Sequence, residues 1–241
     1  MNTPRCLLLH GFTGSRQDWQ PLVGNHSAVL ALALPGHDHQ PAPLGDFSHE
    51  INLLLQRLPP SIDRVIGYSF GGRMALGLLH TAPARFRAAT IIAAHPGLTD
   101  AAQREQRRHA DQLWIKQLRS EGLAAFVDNW AQQPLFTTQR HLPPAVLARQ
   151  RAGRLQHQAE GLASCLERLG LAEMPSTWAT LAQFSGQLHW LVGGADQKFL
   201  ELAQQVLHLR PATTLRIFDG IGHNPLLEAP EKLAEVLRSF I

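Results

Sequence analysis

The stretch Ile66-Gly67-Tyr68-Ser69-Phe70-Gly71-Gly72-Arg73 decides the fold. It contains the pattern Gly-x-Ser-x-Gly between a short apolar run at 65–66 and a helix-like segment at 71–79. Glycines two residues before and after a serine let neighbouring backbones approach without Cβ clashes, so the serine can occupy a strained turn from strand to helix. The pattern therefore predicts that the Ser69 hydroxyl projects above a sheet as a nucleophile or base.

Short apolar runs, most of them followed by a turn containing glycine, recur along the chain. Six such runs indicate buried parallel strands, at 6–9, 29–34, 65–66, 88–94, 188–192 and 213–218. Helix-like stretches alternate with them, for example at 49–58 and 231–240. This alternation predicts an α/β fold with a mostly parallel, doubly wound sheet whose ligand site lies at the carboxyl ends of the strands.

Residues 98–181 interrupt the alternation, because they contain helix-like sequence and prolines but no convincing strand. We expect an inserted helical cap here, after the fourth predicted strand, with 1–97 and 182–241 forming the core. A cap at this point of the chain would cover the carboxyl ends of the strands and exclude water from the site.

Composition narrows the classes of protein. The chain has 241 residues, 44% hydrophobic and 17% charged, which indicates a compact globular protein. Its net charge of +3 and the absence of a long Lys/Arg run argue against nucleic acid as a partner. No segment approaches the roughly 18 unbroken apolar residues of a membrane span or resembles a secretory leader. Cys6 and Cys165 show no paired spacing, so neither a disulfide framework nor zinc is indicated, and the cytoplasm is the expected compartment.

A serine needs a histidine to take its proton and an acid to orient that histidine. His223 follows the last predicted strand within Gly222-His223-Asn224, and we expect it to be the base. Asp196 follows the fifth predicted strand and is favoured as the acid by the chain order Ser, acid, His. Asp219 is the rival, although an aspartate at that position commonly just caps a turn.

Two backbone donors are expected to bind a developing oxyanion or enolate. The turn His10-Gly11-Phe12-Thr13-Gly14 can aim the Phe12 N–H inward, and the Phe70 N–H follows the serine directly.

Several arginines point to an anionic substrate. Arg73 lies one helical turn after Ser69, where a guanidinium without a partner would be costly, so a substrate anion is favoured over an internal carboxylate. Arg107 lies on the inward stripe of the first cap helix, where an unpaired cation needs an explanation. Trp130 fits the cap core and a pocket wall about equally well. His37-Asp38-His39 favours a polar loop over a metal site, because no third ligand has a defined spacing. Lys198 is either part of the anion site or a surface charge.

Nearly the whole chain resembles the 2-succinyl-6-hydroxy-2,4-cyclohexadiene-1-carboxylate synthase family, which has the α/β-hydrolase fold. The resemblance rests on the segments 67–73, 95–98, 130–136, 196–199 and 222–224, together with Arg107.

This resemblance implies a lyase of menaquinone (vitamin K2) biosynthesis that removes pyruvate from a small polycarboxylate and needs no cofactor. It implies that Ser69, Asp196 and His223 are the triad and that Arg73, Arg107 and Arg154 bind carboxylates. Tyr68 and Trp130 join the substrate-binding residues. Arg154 is preferred to Arg151 because of its spacing to the next cap helix.

Two other functions remain open at this point. A carboxylesterase or thioesterase would use the same triad through an acyl-serine intermediate, but it leaves Arg73 without a role. A binding module without activity is the third alternative, since a fold does not fix a function.

Overall fold

The computed structural model describes residues 3–241, and the first two residues of the predicted core segment 1–97 lie outside it. Six strands form one sheet: β1 Cys6–Leu9, β2 Val29–Leu32, β3 Arg64–Tyr68, β4 Ala88–Ile92, β5 Gln187–Gly193 and β6 Thr214–Phe218. Their order is β2-β1-β3-β4-β5-β6, and every neighbouring pair among the described residues is parallel. The predicted doubly wound sheet is confirmed.

Eleven α-helices and three 3-10 helices connect or follow the described strands. The α-helices are α1 Gln20–Val23, α2 Phe47–Arg57, α3 Phe70–Thr81, α4 Ala101–Ser120, α5 Gly122–Trp130, α6 Pro144–Arg154, α7 Ala159–Leu169, α8 Trp178–Gln183, α9 Gln197–Leu209, α10 Pro225–Glu228 and α11 Pro230–Leu237. The 3-10 helices are Arg16–Trp19, Pro83–Arg85 and Pro134–His141. Among the described residues, no helix is both long and apolar enough to cross a bilayer.

Alternating side chains of the strands fill two apolar layers. On β1, Leu7 and Leu9 pack with α2, α3 and α9, whereas Cys6 and Leu8 pack with α1, α10 and α11. The two-residue period of a strand sends successive side chains to opposite faces, so a continuous apolar run is buried on both. The second predicted strand is two residues too long, because the Leu34 N–H donates to the Nε2 of His10 and not to a neighbouring strand.

The helices α4 to α8 lie between β4 and β5 in the chain, and α4 to α7 lie within the segment where a cap is expected. They contain an apolar cluster of their own, which includes Ile115, Phe126 and Leu162 and against which Phe12 of the core packs. The limits of the cap at 98 and 181 stay a prediction, and α8 crosses the second of them.

Candidate active site

The site forms where the sheet changes its winding direction. β1 lies between β2 and β3, so the chain leaves β1 to one side and returns on the other. Leu9 and Gly67 are register partners at the ends of β1 and β3. The loops that follow these two strands therefore meet at the carboxyl edge, where doubly wound sheets bind ligands. One loop carries Phe12 and the other carries Ser69.

Ser69 occupies the strained turn that its two glycines predict. Its φ of 50° and ψ of −108° lie in a region that side-chain-bearing residues rarely adopt. A Cβ on Gly67 would overlap the carbonyl of Gly71, and one on Gly71 would overlap the carbonyl of Leu9. Only glycine fits at either position, and this close approach of backbones holds the serine in its turn.

In the predicted triad, His223 lies within hydrogen-bonding distance of both Ser69 and Asp196. Ser69 Oγ lies 3.0 Å from His223 Nε2, and His223 Nδ1 lies 2.6 Å from Asp196 Oδ2. His223 and Asp196 are both buried, whereas the rival acid Asp219 is exposed. Since the Asp196 carboxylate only accepts, Nδ1 carries the proton and Nε2 is free to accept one from Ser69.

A carboxylate that sequence reasoning missed holds the loop around His223. Glu228 Oε2 accepts from the Gly222 N–H at 2.8 Å, and Glu228 Oε1 accepts from the Asn224 N–H at 3.1 Å. The N–H groups of the two residues that flank His223 are thus tied to one side chain. The only signal in the sequence is an acid five residues after the histidine, which by itself does not indicate this contact.

The backbone N–H groups of Phe12 and Phe70 lie in the segments that follow β1 and β3. Neither N–H has an acceptor among the loop and turn hydrogen bonds of residues 3–241. The carbonyl of Gly11 accepts from the Gly14 N–H at 3.0 Å, which turns the shared peptide so that the Phe12 N–H points the opposite way. The rings of Phe12 and Phe70 pack edge to face, with centroids 6.4 Å apart.

Arg73 is held by a carbonyl and a ring. Its Nη1 donates to the Leu169 carbonyl at 2.7 Å, and its guanidinium carbon lies 5.0 Å from the centre of the Phe70 ring. Among residues 3–241 it forms no ion pair with an acid. Burial, and then the nearby Arg107 charge, lower the pKa of Arg73 to about 10, so it stays a cation at neutral pH. A guanidinium held in this way can still bind an anion.

Arg107 differs from its sequence-based interpretation. Its Nε lies 2.9 Å from Asp111 Oδ2, so the expectation of an unpaired cation is wrong. The reason is local, since residues four apart on α4 face each other. Arg107 nevertheless lies close to other basic groups. Burial is the largest cause that lowers the pKa of Lys198, and the positive charge of Arg107 is the second. It adds to the burial and basic neighbours that lower the pKa of His95 to about 4.

Arg154 and Arg151, three residues apart on α6, have opposite environments. Arg154 is only 6% exposed, and its guanidinium carbon lies 5.5 Å from the centre of the Phe136 ring. Among the described residues its side chain has no hydrogen-bond acceptor. Burial lowers its pKa. Arg151 is exposed and paired with Asp128 through contacts of 2.6 and 3.0 Å. Phe136 also packs against His223, so it is Arg154 that lies near the triad.

Tyr68 and Trp130, the two predicted ring contacts, have different neighbours. The Tyr68 ring lies 5.8 Å from that of His223, and burial raises the pKa of its hydroxyl. Trp130 packs against Phe126 in the cap cluster and also against Phe12, at centroid distances of 5.3 and 5.2 Å. Trp130 is therefore both core of the helical segment and its contact with the loop after β1. Its buried Nε1 has no acceptor among residues 3–241.

The loop at His37-Asp38-His39 joins backbone segments, as expected of a polar loop. Asp38 Oδ2 accepts from the Arg16 N–H at 2.9 Å, and His37 accepts from Thr13. Residues 3–241 contain no group of three His, Cys, Asp or Glu side chains that could hold a metal ion.

Comparison with known proteins agrees with this geometry. The model of the alpha/beta hydrolase family matches residues 6–236. A 2-succinyl-6-hydroxy-2,4-cyclohexadiene-1-carboxylate synthase from Salmonella newport (strain SL254) is 34% identical, over 98% of this chain and 94% of that protein. The chain belongs to the 2-succinyl-6-hydroxy-2,4-cyclohexadiene-1-carboxylate synthase family of alpha/beta hydrolases. The family predicted from the sequence is thus confirmed.

Several solved structures have the same fold as this chain. MenH from S. aureus superposes with a TM-score of 0.93 at 25% identity, over 100% of this chain and 94% of that one. A thermophilic esterase from Thermogutta terrifontis has a TM-score of 0.79 at 22% identity, over 99% of this chain and 90% of that one. The esterase shares the fold, which by itself does not fix a reaction.

Proposed function

We propose that this chain is a carbon-oxygen lyase that eliminates pyruvate from 2-succinyl-5-enolpyruvyl-6-hydroxy-3-cyclohexene-1-carboxylate in menaquinone biosynthesis. The product is 2-succinyl-6-hydroxy-2,4-cyclohexadiene-1-carboxylate. The observation that carries the proposal is a hydrogen-bonded Ser69–His223–Asp196 triad beside Arg73 and Arg154, two arginines without a carboxylate partner among residues 3–241. Cations of this kind suit a substrate with several carboxylates.

The bond changes follow from the chemical structures of the substrate and the product. The ring proton at C2, next to the succinyl ketone, is removed, and its electron pair forms the C2–C3 double bond. The C3–C4 double bond moves to C4–C5, and the C5–O bond breaks with its electrons on oxygen. The leaving group is the enolate of pyruvate, which takes up a proton. Atoms and charges balance without an oxidant or a reductant.

Ser69 is the proposed base, with His223 taking the serine proton as the serine oxygen takes the ring proton. Asp196 holds His223 in the required tautomer and stabilises the imidazolium that forms. The ketone oxygen becomes negative as the C2 proton leaves, and the N–H groups of Phe12 and Phe70 are the proposed donors to it. Arg73, Arg107 and Arg154 hold the carboxylates of the substrate. Tyr68 and Trp130 lie against its cyclohexene ring.

The segment 98–181 is proposed to act as a cap that excludes water and contributes Arg107 and Arg154. The proposed compartment is the cytoplasm, which is supported by two free, buried cysteines.

An assay of pyruvate release tests the proposal directly. Wild type is expected to release pyruvate from the pathway intermediate, and Ser69→Ala to lower kcat by a factor of about 10³ or more with the fold intact. A wild type that releases no pyruvate but hydrolyses neutral esters at enzyme-like rates would replace the lyase with the esterase alternative. A Ser69→Ala variant with full activity would leave the lyase and remove the serine base.

A further inference from the structure

Three buried histidines surround the loop that carries Phe12, and the mechanism above does not use them. The rings of His10 and His37 have centroids 5.1 Å apart, and those of His37 and His157 are 5.2 Å apart. His10 follows β1, His37 lies in the loop after β2, and His157 lies between α6 and α7. Three separate parts of the chain therefore meet through imidazoles behind one loop.

Each of these rings is bound on both nitrogens by backbone groups. His37 Nδ1 faces the Pro35 carbonyl at 2.9 Å, while its Nε2 accepts from the Thr13 N–H at 3.1 Å. His10 Nδ1 faces the Gly11 carbonyl at 2.8 Å, and its Nε2 accepts from Leu34. A carbonyl only accepts and an amide N–H only donates, so one nitrogen of each ring carries hydrogen and the other does not. These rings are neutral in fixed tautomers.

His157 follows the same rule from the cap segment. Its Nε2 donates to the Thr13 carbonyl at 3.1 Å, and its Nδ1 accepts from the Asp38 N–H over a longer 3.4 Å. The N–H and the carbonyl of Thr13 are thus each held by an imidazole, one from His37 and one from His157. Thr13 has a positive φ of 62°, which is uncommon for a residue with a branched side chain. Such a conformation persists only where its surroundings enforce it.

The segment that carries His157 also docks on the core by backbone contact. A Cβ on Gly36 would overlap the carbonyl of Gly161 at the start of α7, and one on Gly161 would lie 2.8 Å from the Gly36 carbonyl. The turn before His37 and the helix after His157 therefore touch directly. The same part of the cap segment therefore packs against the core and binds the Thr13 carbonyl.

We propose that His157 is a positioning residue for the reaction. From the cap segment it fixes the Thr13–Gly14 peptide, so that the Phe12 N–H, two peptide groups earlier in the same loop, is aimed at the oxyanion. The inference rests on the proposed function for the identity of the reaction, but its contacts do not depend on the substrate. The cap segment and the loop that carries Phe12 are thereby coupled. The two backbone donors, Phe12 and Phe70, are both in place when the loop between α6 and α7 packs against the core. Burial, the largest cause, lowers the pKa of His157 and keeps the ring neutral, as this pattern of bonds requires.

Replacing His157 by leucine and by glutamine separates the hydrogen bond from the packing. His157→Leu removes the donor to Thr13, whereas the amide of His157→Gln can place a donor near the Nε2 position. His157→Leu is expected to lower kcat about tenfold or more, with KM changed less than about twofold, because a displaced donor costs transition-state binding. His157→Gln is expected to keep kcat within about threefold of wild type. His109→Leu, an exposed histidine of α4, is the matched control and should equal wild type.

The rate at which a fluorophosphonate labels Ser69 gives a second readout that needs no pathway substrate. The serine oxygen displaces fluoride while the phosphoryl oxygen occupies the oxyanion site, so the His157→Leu rate should fall in parallel with kcat. If wild type releases no pyruvate, the proposed function fails while this comparison still tests His157.

Wild-type kcat and labelling in His157→Leu would overturn the inference. Equal losses in the Leu and Gln variants would also overturn it, since packing and not the donor would then matter. If His157→Leu does not fold, His157→Asn replaces it, because its shorter amide does not reach Thr13. The Asn variant is then expected to lose activity while the Gln variant keeps it.

Discussion

The guanidinium of Arg73 donates to the carbonyl of Leu169 at 2.7 Å and has no acid as an ion-pair partner among residues 3–241. This contact joins the helix that follows the nucleophile to the end of α7 in the cap segment. A neutral carbonyl orients the cation without neutralising it. The full charge therefore remains available to an anion that enters the site.

Replacing Arg73 by methionine should distinguish a polyanionic substrate from a neutral ester. Arg73→Met removes the charge and keeps most of the side-chain length, so kcat/KM for pyruvate release is expected to fall about 10- to 100-fold, as for a lost charged hydrogen bond. Hydrolysis of p-nitrophenyl acetate, measured in parallel, should change less than about threefold. Equal losses on both substrates would mean general damage to the site and not loss of a carboxylate contact.

Arg154 and Arg151 provide a matched pair on one helix. Arg154→Met is expected to lower kcat/KM for pyruvate release about 10- to 100-fold, whereas Arg151→Met should leave it unchanged. Because a buried cation without a partner costs folding free energy, the Tm of Arg154→Met should be equal to or above that of wild type. Steady-state kinetics and thermal melts check both statements. Loss of activity in Arg151→Met alone would show that the assignment is reversed.

The acid of the triad can be tested against its rival. Asp196→Asn removes the acceptor that fixes the His223 tautomer, and kcat should fall by a factor of about 10³ to 10⁴ with little change in KM. Asp219→Asn alters an exposed side chain and should retain wild-type activity. The reverse result would assign the acid to Asp219. Near-normal activity in both variants would argue against a histidine oriented by a carboxylate.

Glycine at position 71 is required by packing, in contrast to Gly153. Gly71→Ala would drive a Cβ into the backbone of Leu9 and His10, and should lower the free energy of unfolding by about 3 kcal/mol or more. Gly153 lies in α6 with open space around it, and Gly153→Ala should raise that free energy by about 0.5–1 kcal/mol. Urea denaturation measures both. A Gly71→Ala variant as stable as wild type would contradict the close approach.

The neutral histidine cluster makes stability depend on pH. Burial is the main cause that lowers the pKa of His10 to about 4 from an ordinary 6.5, and His37, Asp38 and His157 are the charged or titratable groups near it. Between pH 6.5 and 4 the unfolded chain therefore binds more protons than the native one. The free energy of unfolding should be largest above pH 6.5. It should fall as the pH drops towards 4, by up to about 1.4 kcal/mol per pH unit for each such histidine.

Urea denaturation at pH 7.5, 6 and 5 measures this dependence. His157→Gln should lose less free energy of unfolding between pH 7.5 and 5, because it removes one histidine whose pKa is lowered. The charged or titratable groups near His157 include Asp38, His39 and Arg154. A wild type equally stable at pH 7.5 and 5 would contradict neutral burial of the cluster.

The positions of the strands along the chain and the turn at Ser69 were accessible from the sequence for local reasons. Apolar runs followed by glycine mark buried parallel strands, and Gly67 and Gly71 permit a backbone contact that no other residue allows. The chain order Ser69, Asp196, His223 then selected the triad from 13 histidines and 19 acids. These are signals of spacing, which a linear pattern records well.

Two contacts between residues that are close in the sequence were nevertheless missed. Arg107 looked unpaired on its helix face, yet its charge is balanced by Asp111 on the next turn of that face. Glu228 holds the His223 loop, but one acid near a histidine carries no distinguishing pattern.

The sequence by itself determined the fold and the family and predicted the triad, because strand periodicity, glycine spacing and chain order can all be read along the linear chain. Tertiary structure alone decided which arginine of α6 is buried and that His10, His37 and His157 meet behind the Phe12 loop. The contacts of His157 join residues more than a hundred positions apart, as with Thr13 and Asp38. Such contacts form only when the cap segment packs on the sheet edge, and no local pattern encodes that packing.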